Sequence, residues 1–100
     1  MTHRLTIQYG EPADAEAFDK HYFAVHVPLC QPLPGLRNAS FSKPRALGGG
    51  AVPYLVAELD FDDADALFAA LKSPEMATLA VDAESLDALR TMFTGEVRTA

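Results

Sequence analysis

The sequence predicts an α+β fold, with a four-stranded antiparallel sheet carrying helices on one face. Three observations point there. Four short segments are rich in β-formers at period two. Two longer segments repeat apolar residues every three or four positions. Gly/Pro turn signals separate them in the order strand, helix, strand, strand, helix, strand.

In the first strand, Leu5, Ile7 and Tyr9 alternate with Arg4, Thr6 and Gln8, and Gly10 with Pro12 ends it. Asp14 is a good N-cap for the next element, and Glu16 adds negative charge to its first turn. Phe18, Tyr22, Val25 and Leu29 fall on one helical stripe. Pro28 lacks an amide hydrogen and clashes with the preceding turn, so a kink or stop is expected there. Leu33-Pro34-Gly35-Leu36 marks the exit turn.

Arg37 to Lys43 reads as the second strand. Gly48-Gly49-Gly50 follows as a flexible hairpin loop, since no helix with a Lys-Ser/Thr pair comes after it to make a phosphate cradle. Pro53 to Phe61 is the strongest strand. Leu55, Ala57, Leu59 and Phe61 share one face, and Tyr54, Val56 and Glu58 the other. The apolar groups on that second face predict a cover that no other segment supplies. Asp62 is expected to cap a helix built on Ala64, Leu67, Phe68 and Leu71. Ser73-Pro74 starts another, with proline at the first helical position. Asp82 is read as the cap of a short third piece containing Leu86 and Leu89. Thr91 to Thr99 closes the sheet, interrupted by Gly95. The order βαββαβ is the ferredoxin-like pattern. Helices cover one sheet face only, so a face-to-face homodimer is expected to cover the other.

At 100 residues, one domain over 1–100 is expected. A composition of 49% hydrophobic and 22% charged residues speaks against disorder. A net charge of −6, with no basic cluster, speaks against nucleic acid and against an anionic membrane surface. Cys30 is the only cysteine, and no segment resembles a signal peptide or a membrane span. A reducing cytoplasm is the expected compartment.

His26 is the sharpest candidate for chemistry. It lies at i,i+4 from Tyr22, at the helix end that Pro28 predicts, and an imidazole titrates near neutral pH. A structural alternative is that His26 ties down the carbonyl of Ala24, which Pro28 leaves without its helical partner. His21 lies roughly 140° around a straight helix from His26, at about 100° per residue, so the pair is not expected to bind a metal. Asp19 is expected to face solvent. Asp62, Asp63 and Asp65 fit capping better than calcium. Cys30 has no arranged base and reads as a packed side chain. Phe18 and Leu29, with Phe68, Met76 and Phe93, are candidate substrate-binding residues, although their spacings also suit plain core positions.

The stretches YGEPADAEAFDKHYFAVHVPLCQPLPGL and PYLVAELDFDDADALFAALKSPE resemble the EthD-type family of dimeric α/β-barrel proteins. Tyr22-x-x-x-His26-x-Pro28-Leu29 followed by Leu33-Pro34-Gly35-Leu36 is the most specific part. Asp82 and Gly95-Glu96 also fit, and the match loosens from Ala83 to Met92. The resemblance implies a dimer with facing sheets and a cleft between sheet and helices, with His26 as pocket histidine beside Tyr22. Relatives are associated with breakdown of ethers and other xenobiotics and with aromatic polyketide pathways. Many are called oxidoreductases, yet no GxGxxG follows the first strand here, so no cofactor is expected. Two functions follow as expectations. One is a cofactor-independent oxidoreductase or oxygenase-like enzyme acting on a small apolar or aromatic molecule, with His26 as base and Tyr22 positioning. The other is a non-catalytic ligand-binding or accessory dimer.

Overall fold

Each period-two segment forms a strand in the computed structural model, which describes residues 1–100. The chain runs β1 (His3–Tyr9), α1 (Ala15–His21), a π-helical turn (Tyr22–His26), α2 (Val27–Cys30), β2 (Leu36–Ser42), β3 (Leu55–Phe61), α3 (Ala64–Leu71), α4 (Pro74–Glu84) and β4 (Arg90–Glu96). The strands form one sheet in the order β2-β3-β1-β4, every pair antiparallel. This is the α+β ferredoxin-like fold. Gly95 sits within β4 opposite Arg4 and does not interrupt it.

The register sorts side chains by face. Leu5, Ile7 and Tyr9 of β1, and Leu55, Ala57, Leu59 and Phe61 of β3, point towards the helices and form the core with Leu67, Ala70 and Leu79. Phe41 and Met92 lie opposite Ala57 and Ile7 and share that face. Gly35 has φ +76°, a conformation glycine reaches without strain, and the turn it makes leads into β2.

The caps follow local chemistry, with two corrections. Asp14 accepts from the amide of Ala17, and Ser73 from that of Met76. The cap of α3 is Asp63, not Asp62: Asp63 accepts from Ala66 at 2.8 Å, while Asp62 pairs with Arg37. Asp82 caps no separate piece, because α4 runs through it to Glu84. Asp19 does not simply face solvent, since Lys43 and the Tyr54 hydroxyl both donate to it.

The outer face of the sheet also corrects an expectation. It carries Arg4, Thr6, Gln8, Asn38, Ser40, Ser42, Glu58 and Asp60, with only Val56 and Phe93 as large apolar groups. At its centre Arg4 Nε meets Asp60 at 2.7 Å and Nη1 meets Glu58 at 3.2 Å. Tyr54 does not extend an apolar patch here: its ring packs edge-on against Phe18, on the helical side. The face is polar with two apolar spots. The cleft does not depend on it, since the cleft lies on the other side of the sheet.

Candidate functional site

Pro28 does not stop the first helix. Backbone angles stay helical from His26 through Gln31. The turn before the proline widens instead, and the amide of Val27 donates to the carbonyl of Tyr22, five residues back. Widening relieves the clash of the proline ring with the preceding turn, and the missing amide hydrogen of Pro28 is absorbed there. The wider turn also moves the buried stripe. It runs Phe18, Tyr22, His26, Cys30, while Val25 is exposed and Leu29 is half-buried. A four-residue spacing drifts around an α-helix. One π-helical turn takes up the drift.

The same widening brings His21 and His26, five apart, to one side. Both imidazoles reach Asp82 on α4: His21 Nε2 lies 2.8 Å from Oδ1, and His26 Nδ1 lies 2.8 Å from Oδ2. Burial pushes the Asp82 carboxyl up, but the hydrogen bonds and charges of His26 and His21 outweigh it, and its pKa lies below the ordinary value. Ionised Asp82 only accepts, so both facing ring nitrogens carry hydrogens and donate. In a neutral His26 ring this fixes the tautomer: Nδ1 holds the proton and Nε2 holds the lone pair. His26 therefore does not tie down the Ala24 carbonyl, because its Nδ1 is spent on Asp82.

His26 is 4% exposed and lines a cavity of about 200 Å³ between the sheet and the helices. The floor is Leu5, Ile7, Tyr9, Phe41, Ala57 and Leu59. Tyr22, His26 and Cys30 form one wall, and Leu71, Met76, Leu79, Ala80 and Ala83 the roof. Arg90 and Met92 of edge strand β4 complete it. Ala80, Arg90 and Met92 are exposed, so the mouth opens between α4 and β4. Every other polar group on this wall is a tyrosine or the thiol.

Tyr22 stacks on His26, with ring centroids 5.0 Å apart, and meets Tyr9 edge-on at 5.3 Å. Burial pushes the Tyr22 phenol far up, and Tyr9 beside it adds to this. The hydroxyl is a hydrogen-bonding group, not a base, near neutral pH. Burial pushes the Cys30 thiol up to about 11, and it donates weakly to the His26 carbonyl at 3.6 Å. A neutral, packed thiol is no nucleophile.

Of the residues singled out in the sequence, Tyr22, His26 and Met76 meet at this cavity. Four do not. Phe18 lies behind Tyr22, stacked on it at 5.4 Å, and supports the wall from outside. Leu29 packs against the core beside the π-helical turn. Phe68 is 47% exposed, near His3. Phe93 is on the outer face, because it pairs with Thr6, and the inward positions of β4 are Arg90, Met92, Thr94 and Glu96. Sequence reasoning missed Asp82 and Arg90 as site residues. Asp82 resembled a cap, and nothing local ties it to a histidine 56 positions earlier. Arg90 had a readable signal, since it continues the inward alternation of Met92.

Comparison with known proteins fits this architecture. A family model described as EthD domain matches residues 10–86. An uncharacterised 11.0 kDa protein from the thcB-thcC intergenic region of Rhodococcus erythropolis is 38% identical over 81 residues, covering 80% of this chain and 79% of that one. The crystal structure of an ethyl tert-butyl ether D (EthD) family protein from Bacillus halodurans superposes with TM-score 0.89 at 34% identity, over 98% of this chain and 100% of that one. Two more distant structures share the fold, each with TM-score 0.74. One is a dimeric ferredoxin-like protein from Thermobifida fusca, 16% identical over 97% of this chain and 92% of that one. The other is SnoaB, a cofactor-independent oxygenase from Streptomyces nogalater, 17% identical over 99% and 95%. No helix here is long and apolar enough to cross a membrane.

Proposed function

The chain belongs to the EthD family. From that premise we propose that it works as a single-domain cytoplasmic homodimer that binds a small apolar or aromatic molecule in the cavity. His26 then takes a proton from that molecule in a cofactor-independent, oxygenase-like step. One observation carries the reading: a carboxylate-held imidazole lines a mostly apolar cavity, and its Nε2 has no protein hydrogen-bond partner. A histidine oriented by a carboxylate and enclosed by apolar groups suits general-base catalysis. Dioxygen is the oxidant. Nε2 removes a proton from a ring-flanked CH₂ or a phenol conjugated to it, and the resulting anion reduces dioxygen directly. The CH₂ becomes C=O, one oxygen atom enters the product, and the other leaves as water with the two hydrogens. Tyr22 supports the imidazole by stacking and offers its hydroxyl to the bound anion.

Dimerisation is proposed from the small core of a chain this length and from the dimeric neighbour named above. Its outer sheet face, with Val56 and Phe93 among polar groups, suits a mixed interface. Sedimentation at micromolar concentration should give twice the chain mass, and a monomer there would contradict this part. For catalysis, oxygen uptake is measured with a panel of phenols and ring-flanked CH₂ compounds. His26→Asn is expected to lower turnover about 100-fold or more in a folded protein. Unchanged turnover removes His26 as base. Saturable binding with no oxygen uptake and an unaltered ligand establishes the binding-protein alternative instead.

A further inference from the structure

Arg90 is a cation at the mouth of an apolar cavity. Its strand neighbour across the sheet is Tyr9, whose ring meets Tyr22, which in turn stacks on His26. Arg90 is thus linked to the imidazole through two aromatic rings, Tyr9 of the floor and Tyr22 of the wall. Three other arginines are spoken for: Arg4 meets Asp60 and Glu58, Arg37 meets Asp62, and Arg98 meets Glu96. Arg45 also lacks a carboxylate partner, but it follows β2 and does not line the cavity. Arg90 has no carboxylate within 4.0 Å. Its one side-chain hydrogen bond in the fold is a long one from Nη1 to the Ala83 carbonyl, 3.4 Å, at the last turn of α4. A guanidinium has five N–H donors in a planar fork, so most of this group is left over. In a chain of net charge −6, this is a local place for an anion. Arg90 lies outside the residues 10–86 that match the family model.

Size narrows the ligand further. An engineered apolar protein cavity of about 150 Å³ holds benzene. The cavity here, about 200 Å³ with an open mouth, suits a body of one or two rings whose polar end protrudes towards β4.

We propose that the ligand of this cavity is a one- or two-ring molecule bearing an anionic group, a carboxylate or an acidic phenol or enol, and that Arg90 binds that group at the mouth. This rests on reading the cavity as a ligand site. It adds a charge requirement that an apolar cavity alone would not impose.

The test uses the full chain with 1-naphthoate and its neutral methyl ester, followed by naphthalene fluorescence polarisation. The protein has no tryptophan to interfere. Wild type is expected to bind the acid at least about tenfold more tightly than the ester, the scale of a charge-assisted hydrogen bond. Arg90→Met should erase that preference, bringing the acid-to-ester affinity ratio to about one. Arg90→Lys, which keeps the charge but not the fork, should retain part of it. Equal affinities in wild type, or a preference that survives in Arg90→Met, overturn the proposal while ester binding upholds the cavity as a ligand site. Binding of neither compound overturns both. A role limited to holding the end of α4 would lower the thermal midpoint of Arg90→Met without touching the acid-to-ester ratio, and that result also overturns the proposal.

Discussion

Replacing Asp82 by Asn tests the link between α4 and the π-helical turn. Asn is nearly the same shape but carries no charge, and it brings an NH₂ donor against a ring nitrogen that already donates. Two contacts change. The His26 bond joins side chains 6% and 14% exposed, where a hydrogen bond to a charged group contributes about 1.5–3 kcal/mol. The His21 bond involves a ring 38% exposed, and solvent screening reduces it to a few tenths. A loss of about 2 kcal/mol at neutral pH is expected. For a domain of this length that corresponds to a fall in thermal midpoint of about 10 °C. The pH dependence supplies a second handle. The folded pKa of Asp82 lies below its unfolded value, so its contribution is fully present above about pH 4 and is lost as pH falls through the folded pKa. Wild type and Asp82→Asn should therefore converge on acidification. Thermal melts at fixed protein concentration from pH 7 to pH 3 measure both effects. A fall under about 2 °C, with a gap that does not narrow in acid, would refute the reasoning.

Two further outcomes follow. Cys30 should react with iodoacetamide at pH 8 only as fast as the chain opens, because its thiol is buried and pushed up to about 11; labelling at the rate of a free peptide thiol would contradict this packing. Gly35→Ala should cost about 1–2 kcal/mol by denaturant unfolding, since φ is +76° there, while the nearest atoms at 3.8 Å leave room for the methyl; a neutral result would mean the turn relaxes.

The elements were legible because short-range rules govern them. Strand alternation, the caps at Asp14 and Ser73, and the Pro-Gly exit turn each reflect interactions within a few residues. The whole βαββαβ order followed from them. Half of the catalytic candidate was legible too, since Tyr22 and His26 are one helical turn apart. The rest was hidden by two things. A 3.6-residue period places His21 and His26 on different faces, whereas the π-helical turn brings them together, and it also exchanges Val25 for His26 on the buried stripe. Asp82 joins the site only through packing of α4 against the first helix, a contact of long sequence separation. The outer face misled for a related reason. Tyr54 alternates with Leu55 on paper, yet it sits before the strand proper and turns to Phe18 and Asp19.

Nitrogen-15 NMR of the imidazole rings, recorded as 1-naphthol is titrated in, addresses the site most directly. His26 is expected to carry a hydrogen on Nδ1 facing Asp82, with an Nε2 resonance that shifts saturably on addition while His3 stays still. A ring without that Nδ1 hydrogen, or an Nε2 signal indifferent to the phenol at saturation, would contradict this.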